Sequence, residues 1–167
     1  MANIAHFVLL AHYHLNRPTD LNVILLLLIV LLPNSARADW QGRIVAISDG
    51  DTLTALTANK KQVKIRLVEI DAPEAVQSFG QKSKQSLADI CFKKPVVVVE
   101  KGKDKYKRTL ARLFCDGVDA NAEQGKRGMA WAFQKYLTDQ NIDLLEKAAR
   151  KKKVGLWQDP NPIAPWE

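Results

Sequence analysis

Apolar and polar residues alternate through much of the stretch between residues 42 and 115, and this two-residue period predicts short strands. Residues 42–49 (GRIVAISD) are β-branched and end in Asp49-Gly50-Asp51, a turn signal, before residues 52–57; the pattern predicts a hairpin. Asn59-Lys60-Lys61 turns the chain into residues 62–70, where Val63, Ile65 and Leu67 alternate with Lys64 and Arg66. Pro73 cannot donate to a strand ladder and ends that run. Residues 95–101 and 108–115 predict two further strands, the second with Leu110 and Phe114 on one face and Ala111 and Leu113 on the other.

The period lengthens to that of a helix over residues 81–93, where Ser83, Leu87, Ile90 and Cys91 share a stripe that largely excludes Lys82, Lys84 and Asp89. A second helix is expected over 120–131, weakened by Gly125 and closing near Gly128. A third is expected over 141–153, with Leu144, Leu145 and Ala148 as its inner face and Gly155 as its stop. Five short strands with a helix after the third, then two more helices, point to an α+β domain: a five-stranded OB-fold β-barrel with three helices, over residues 39–158. Residues 159–167 carry three prolines and are expected to form a loose tail.

The N-terminus changes the picture. Residues 23–32 (VILLLLIVLL) are an unbroken apolar run too short to span a bilayer comfortably, and Ala36-Arg37-Ala38 has the small-x-small form that signal peptidases accept. Residues 1–38 therefore read as a signal peptide cut before Asp39, which predicts a secreted or periplasmic protein. The long, weakly charged leader, with Arg17 as its permanent cation, leaves an uncleaved anchor as the other reading. His6, His12 and His14 all precede residue 39. The rest of the chain thus has no histidine, which excludes imidazole acid–base chemistry and histidine-ligated zinc there. Cys91 and Cys115 suit a disulfide in an oxidising compartment, closing a loop of about 25 residues for ~3 kcal/mol; the alternative is two buried thiols.

Charge adds a partner class. The chain carries 25 Lys+Arg against 18 Asp+Glu, a net +7, of which +6 lies beyond residue 38. Such a surface suits a polyanion such as nucleic acid, or simply keeps a small protein soluble.

The acidic and basic residues of the central region then define candidate chemistry. Asp51 follows a glycine at a hairpin and Asp71 sits past a strand end, so both can project from a barrel rim. Two carboxylates with a main-chain carbonyl and water can hold a hard divalent cation and leave positions for a substrate phosphate; Ca²⁺, Mn²⁺ and Mg²⁺ all accept oxygen ligands. Without histidine, Glu74 is the candidate general base. Arg66 and Arg108 are a candidate phosphate clamp, with Lys105 and Tyr106 able to grip a neighbouring phosphate, sugar or base. Trp131 and Phe133 read as packing residues, Tyr136 as the more exposed aromatic, and the basic run 147–153 as a solvated helical face.

Taken in order, Asp49-Gly50-Asp51-Thr52, Arg66-x4-Asp71-x-Pro73-Glu74, Asp104-x-Tyr106-x-Arg108 and Glu146-x-Ala148 with Gly155-Leu156-Trp157 resemble the staphylococcal-nuclease-like (thermonuclease) family over roughly residues 41–157. The resemblance implies an OB-fold barrel with three helices and a Ca²⁺-dependent endonuclease that cuts DNA and RNA to leave 3′-phosphates. It implies Asp51, Asp71 and the Ala72 carbonyl as ligands of one Ca²⁺, Glu74 as general base, Arg66 and Arg108 on the scissile phosphate, Lys105 and Tyr106 on an adjacent phosphate, and Tyr136 on a nucleotide. A monomer without a stable protein partner is expected. Two positions depart from the family pattern: Lys107 stands where glycine is usual, and Gln124, beside Gly125, occupies a usually aliphatic position, which predicts weaker packing of the second helix. The rival classes are a non-catalytic OB-fold nucleic-acid-binding module and a secreted polyanion-binding adhesin.

Overall fold

The computed structural model describes residues 39–167; the proposed signal segment, with its three histidines, lies outside them. Strands β1 (Trp40–Ile47), β2 (Thr52–Thr57), β3 (Gln62–Leu67) and β4 (Ile70–Asp71) precede helix α1 (Gly80–Cys91). Strands β5 (Pro95–Lys103), β6 (Thr109–Cys115) and β7 (Val118–Asp119) lead into α2 (Ala120–Lys126), and β8 (Trp131–Ala132) precedes α3 (Gln140–Lys151). Single 3-10 turns occupy Gln134–Tyr136 and Gly155–Gln158.

The main sheet runs β3-β2-β1-β5-β6, and a parallel β3–β6 pairing closes it into a five-stranded barrel. Closure follows from the alternation read in the sequence: Ile65 and Leu67 of β3, and Ala111 and Leu113 of β6, point into a dry interior shared with Ile44, Leu53, Val96 and Val98. Leu87 and Ile90 of α1 and Ile142 of α3 plug that interior. Cys91, at the end of α1, is disulfide-bonded to Cys115 of β6, with Cα atoms 5.1 Å apart. Among the described residues no helix is long and apolar enough to cross a membrane.

Four expectations need correction. The third strand stops at Leu67, because Glu69 takes a left-handed φ of 66° and starts a tight reversal into β4. The second helix ends at Lys126 rather than 131: Gly128 turns left-handed (φ 64°) and the Met129 N–H returns to the Gln124 carbonyl, 2.9 Å away. The inner face of α3 is Ile142, Asp143, Glu146 and Ala149, with Leu145 packed against the core as expected, while Leu144 is 63% exposed and Ala148 is exposed too. Glu146 turns inward because its carboxylate accepts the Ala132 N–H (3.0 Å) and pairs with Arg150 Nε (2.6 Å). Finally, residues 159–167 are not loose: Ala164 is buried, and the Trp166 ring stacks on Phe133.

Candidate active site

Asp49, Gly50 and Asp51 form the β1–β2 turn. The Asp49 carboxylate accepts the Asp51 N–H (3.0 Å), the local bond that makes Asp-x-x a turn former. Gly50 is required by close approach: a Cβ there would sit 1.9 Å from Ser83 Oγ and 2.7 Å from the Ala72 methyl. The turn is therefore pressed against α1 and the segment after β4, and Asp51 is carried inward, only 6% exposed.

Asp71 reaches the same place by a different route. β4 pairs with β8, Ile70 opposite Ala132 and Asp71 opposite Trp131. That ladder fixes the main chain at Asp71, and the Ala72 N–H then donates to Asp51 Oδ2 (2.7 Å). Thr52 Oγ1 donates to Asp51 Oδ1 (3.0 Å). Arg66, on β3, lies between the two acids: Nη1 is 3.0 Å from Asp51 Oδ2 and Nη2 is 2.5 Å from Asp71 Oδ1. Its Nη1 also donates to the Leu67 and Ile70 carbonyls, 2.8 and 3.0 Å away, so the guanidinium is held rigidly.

One guanidinium does not balance this group of acids. Burial pushes the Asp51 carboxyl up to about 7; Arg66 opposes the shift, and the charges of Asp49 and Asp71 add to it. Burial also raises Asp71, against Arg66 and with help from Glu74 and Asp49. Glu74 is exposed, two residues beyond Ala72, and its N–H donates to the Gln77 side chain (2.7 Å). Ionising Asp51 and Asp71 together is therefore costly in a place water solvates poorly, and a hard cation beside them would offset that cost. That is the donor chemistry of a hard-cation site. Among the described residues no three or more acidic, Cys or His side chains gather into one metal-holding group. A cation here would rely on two carboxylates, main-chain oxygen and water.

Arg108 is positioned by Asp104. Asp104 Oδ1 accepts the N–H groups of Tyr106 and Arg108 (both 2.9 Å), and Oδ2 accepts Arg108 Nε (2.6 Å). Burial would raise this carboxyl, but the bonds from Arg108 and Tyr106 hold it below its ordinary range. Lys107 sits within this loop at φ 64°, a left-handed conformation that glycine adopts without strain. Arg108 Nη1 makes a long 3.5 Å contact to Thr52 Oγ1. A string of polar contacts thus runs from Arg108 through Thr52, Asp51 and Arg66 to Asp71.

Both arginines open onto one cleft of roughly 850 Å³, lined also by Lys105, Tyr106, Phe133 and Tyr136. The Tyr106 ring has Lys105 Nζ 5.0 Å and the Arg108 guanidinium 5.5 Å from its centroid. The structure brings together Asp51, Asp71, Arg66 and Arg108, places Lys105, Tyr106 and Tyr136 around the cleft beside them, and leaves Cys91 and Cys115 in the barrel core.

Three supporting residues were not assigned roles from sequence. Thr52 and Asp104 belonged to recognised motifs, so their spacing was the signal. Gln124 overturns its expectation: it is fully buried, and its amide donates to the Gly50 carbonyl (2.7 Å) and the Ser83 carbonyl (3.2 Å), pinning the Asp51 turn rather than loosening the helix.

Comparison with known proteins agrees with this geometry. Residues 64–159 match the family described as staphylococcal nuclease homologue. An uncharacterized endonuclease of Haemophilus influenzae is 48% identical over 141 residues, covering 84% of this chain and 79% of the relative. A micrococcal nuclease of Shigella flexneri is 41% identical over 151 residues, covering 84% and 85%. A staphylococcal-like nuclease of Arabidopsis thaliana is 33% identical over 107 residues, covering 64% and 33%. Barrel, motif order and these likenesses agree: the chain belongs to the staphylococcal nuclease family.

Proposed function

We propose that this chain is a secreted or periplasmic endonuclease that hydrolyses phosphodiester bonds of DNA and RNA with one Ca²⁺, leaving 3′-phosphate ends. The observation that carries the reading is the Asp51–Arg66–Asp71 cluster, short of positive charge and set at the edge of a basic, aromatic-lined cleft. The relatives named as nucleases support the reaction class. The disulfide supports an oxidising compartment.

Asp51, Asp71 and the Ala72 carbonyl would hold the cation, which when bound supplies Lewis-acid charge to a phosphate oxygen. The remaining work belongs to the chain's own side chains. Glu74, exposed and close enough for its charge to act on Asp71, takes a proton from the attacking water. Arg108, braced by Asp104, donates its outer N–H groups to the phosphate and counters the charge that builds as the ester breaks. Arg66 is already shared between two carboxylates, so it orients them as well as facing the cleft. Lys105 and Tyr106 grip the next phosphate, and Tyr136 meets a base or sugar.

The test is incubation of the purified protein with single-stranded DNA and Ca²⁺, with and without chelator, followed by end-group analysis. Metal-dependent fragments ending in 3′-phosphate are expected. DNA that is retarded on a gel but never cut would favour the non-catalytic binding module and overturn the proposal.

A further inference from the structure

The cleft is bounded by Phe133 and Tyr136, but the aromatic surface continues past it. Tyr136 meets Phe133 edge to face at 5.0 Å, and the Phe133 ring lies nearly parallel to Trp166, with centroids 5.4 Å apart and planes 6° from coincidence. Trp166 meets Trp131 edge-on at 6.3 Å, and Trp131 meets Trp157 at 5.4 Å. The row has a dry end and a wet end. Trp131 and Trp157 are 5% and 6% exposed, whereas Tyr136 and Trp166 are 56% and 52% exposed.

Packing alone does not explain the wet end. An indole that served only to pin the C-terminal segment would gain by burial, as Trp131 and Trp157 do. Trp166 instead keeps half its surface in water, although Ala164 of the same segment is buried. Cations border the same row: Lys135 Nζ lies 5.3 Å from the Tyr136 centroid, and Lys105 and Arg108 line the adjoining cleft. Exposed flat rings beside cations are the means by which proteins hold single strands, each base stacking on a ring while its phosphate meets a positive charge. A duplex, whose bases are already stacked, offers its phosphates but no free base face to such a surface.

Resting on the nuclease reading, the geometry points to Trp166 as a stacking subsite for an unpaired base of the strand where it leaves the cleft, beyond the bond being cut. It is a binding residue and touches no reacting atom.

The test measures binding with cleavage blocked by Glu74→Gln, using a dinucleotide that fits the cleft and a ten-nucleotide single strand that overruns it. Trp166→Ala should weaken the longer strand about tenfold and leave the dinucleotide unchanged, while Trp166→Phe should restore most of the loss. Equal affinity of Trp166→Ala and the parent for both probes would overturn the subsite and leave the cleft reading intact. An equal loss on both probes would also overturn it, by making Trp166 a prop for the cleft wall. Failure of the parent to bind either probe would overturn the nucleic-acid reading itself.

Discussion

Gln124 places a buried amide against the acid turn, holding the Gly50 carbonyl at 2.7 Å. Gln124→Leu keeps the volume but leaves that carbonyl without its donor, so a loss of about 1–3 kcal/mol is expected in denaturant unfolding. Unchanged stability would show that the amide is dispensable. Glu74 is the opposite case, an exposed side chain whose proposed value is chemical. Glu74→Gln should lower kcat by roughly two to four orders of magnitude with little change in melting temperature, and wild-type turnover would remove it from the role of base. The two cases also differ in legibility. Asp51, Asp71, Glu74, Arg66 and Arg108 could be read as candidates because carboxylates and guanidiniums at those spacings have few other joint uses. Gln124 could not, because a glutamine at a usually aliphatic helix position reads as a packing defect until the turn it supports is seen.

Among the elements, the β4–β8 ladder and the Glu69 turn were the hardest to foresee. Each ladder strand is only two residues long, too short to show a period, and its partner comes some sixty residues later. Glu69 organises the joint: its carboxylate accepts the Thr138 and Asp139 N–H groups (2.7 and 2.8 Å), and its carbonyl accepts the Phe133 N–H (2.8 Å). Burial would raise the Glu69 carboxyl, but the Thr138 and Asp139 bonds, with the nearby Arg112, hold it below its ordinary value of 4.5. A lowered folded value means that Glu69 stabilises the fold above pH 4.5 and that this contribution is lost as the pH falls through the folded value. Glu69→Gln should therefore melt below wild type near neutral pH, and the gap should narrow under acid. A gap independent of pH would show that ionisation of Glu69 does not matter. The misread face of α3 has a related cause: a hydrophobic pattern assigns glutamate to water, whereas Glu146 is turned inward by a main-chain donor on β8.

At the scale of the molecule, the five barrel strands, the three helices and the class were legible, because alternation and turn residues punctuate each barrel strand. The parallel β3–β6 pairing that closes the barrel was not, since it joins strands about forty residues apart and leaves no local mark. Two global properties follow from the whole chain. The Cys91–Cys115 bridge ties α1 to the barrel, and replacing both residues with alanine should cost about 2–4 kcal/mol of unfolding free energy; no loss would mean that the bridge adds nothing beyond packing. The excess of cations, +6 beyond residue 38, should make binding to single-stranded DNA weaken steadily as salt rises, which affinity measured across a salt series would check. The most direct test of the account is the rate of single-turnover DNA cleavage against Ca²⁺ concentration for wild type and Asp71→Asn. Saturation for wild type, with at least tenfold more Ca²⁺ needed by the variant, is the predicted result. Cleavage that ignores both the ion and the substitution would contradict it.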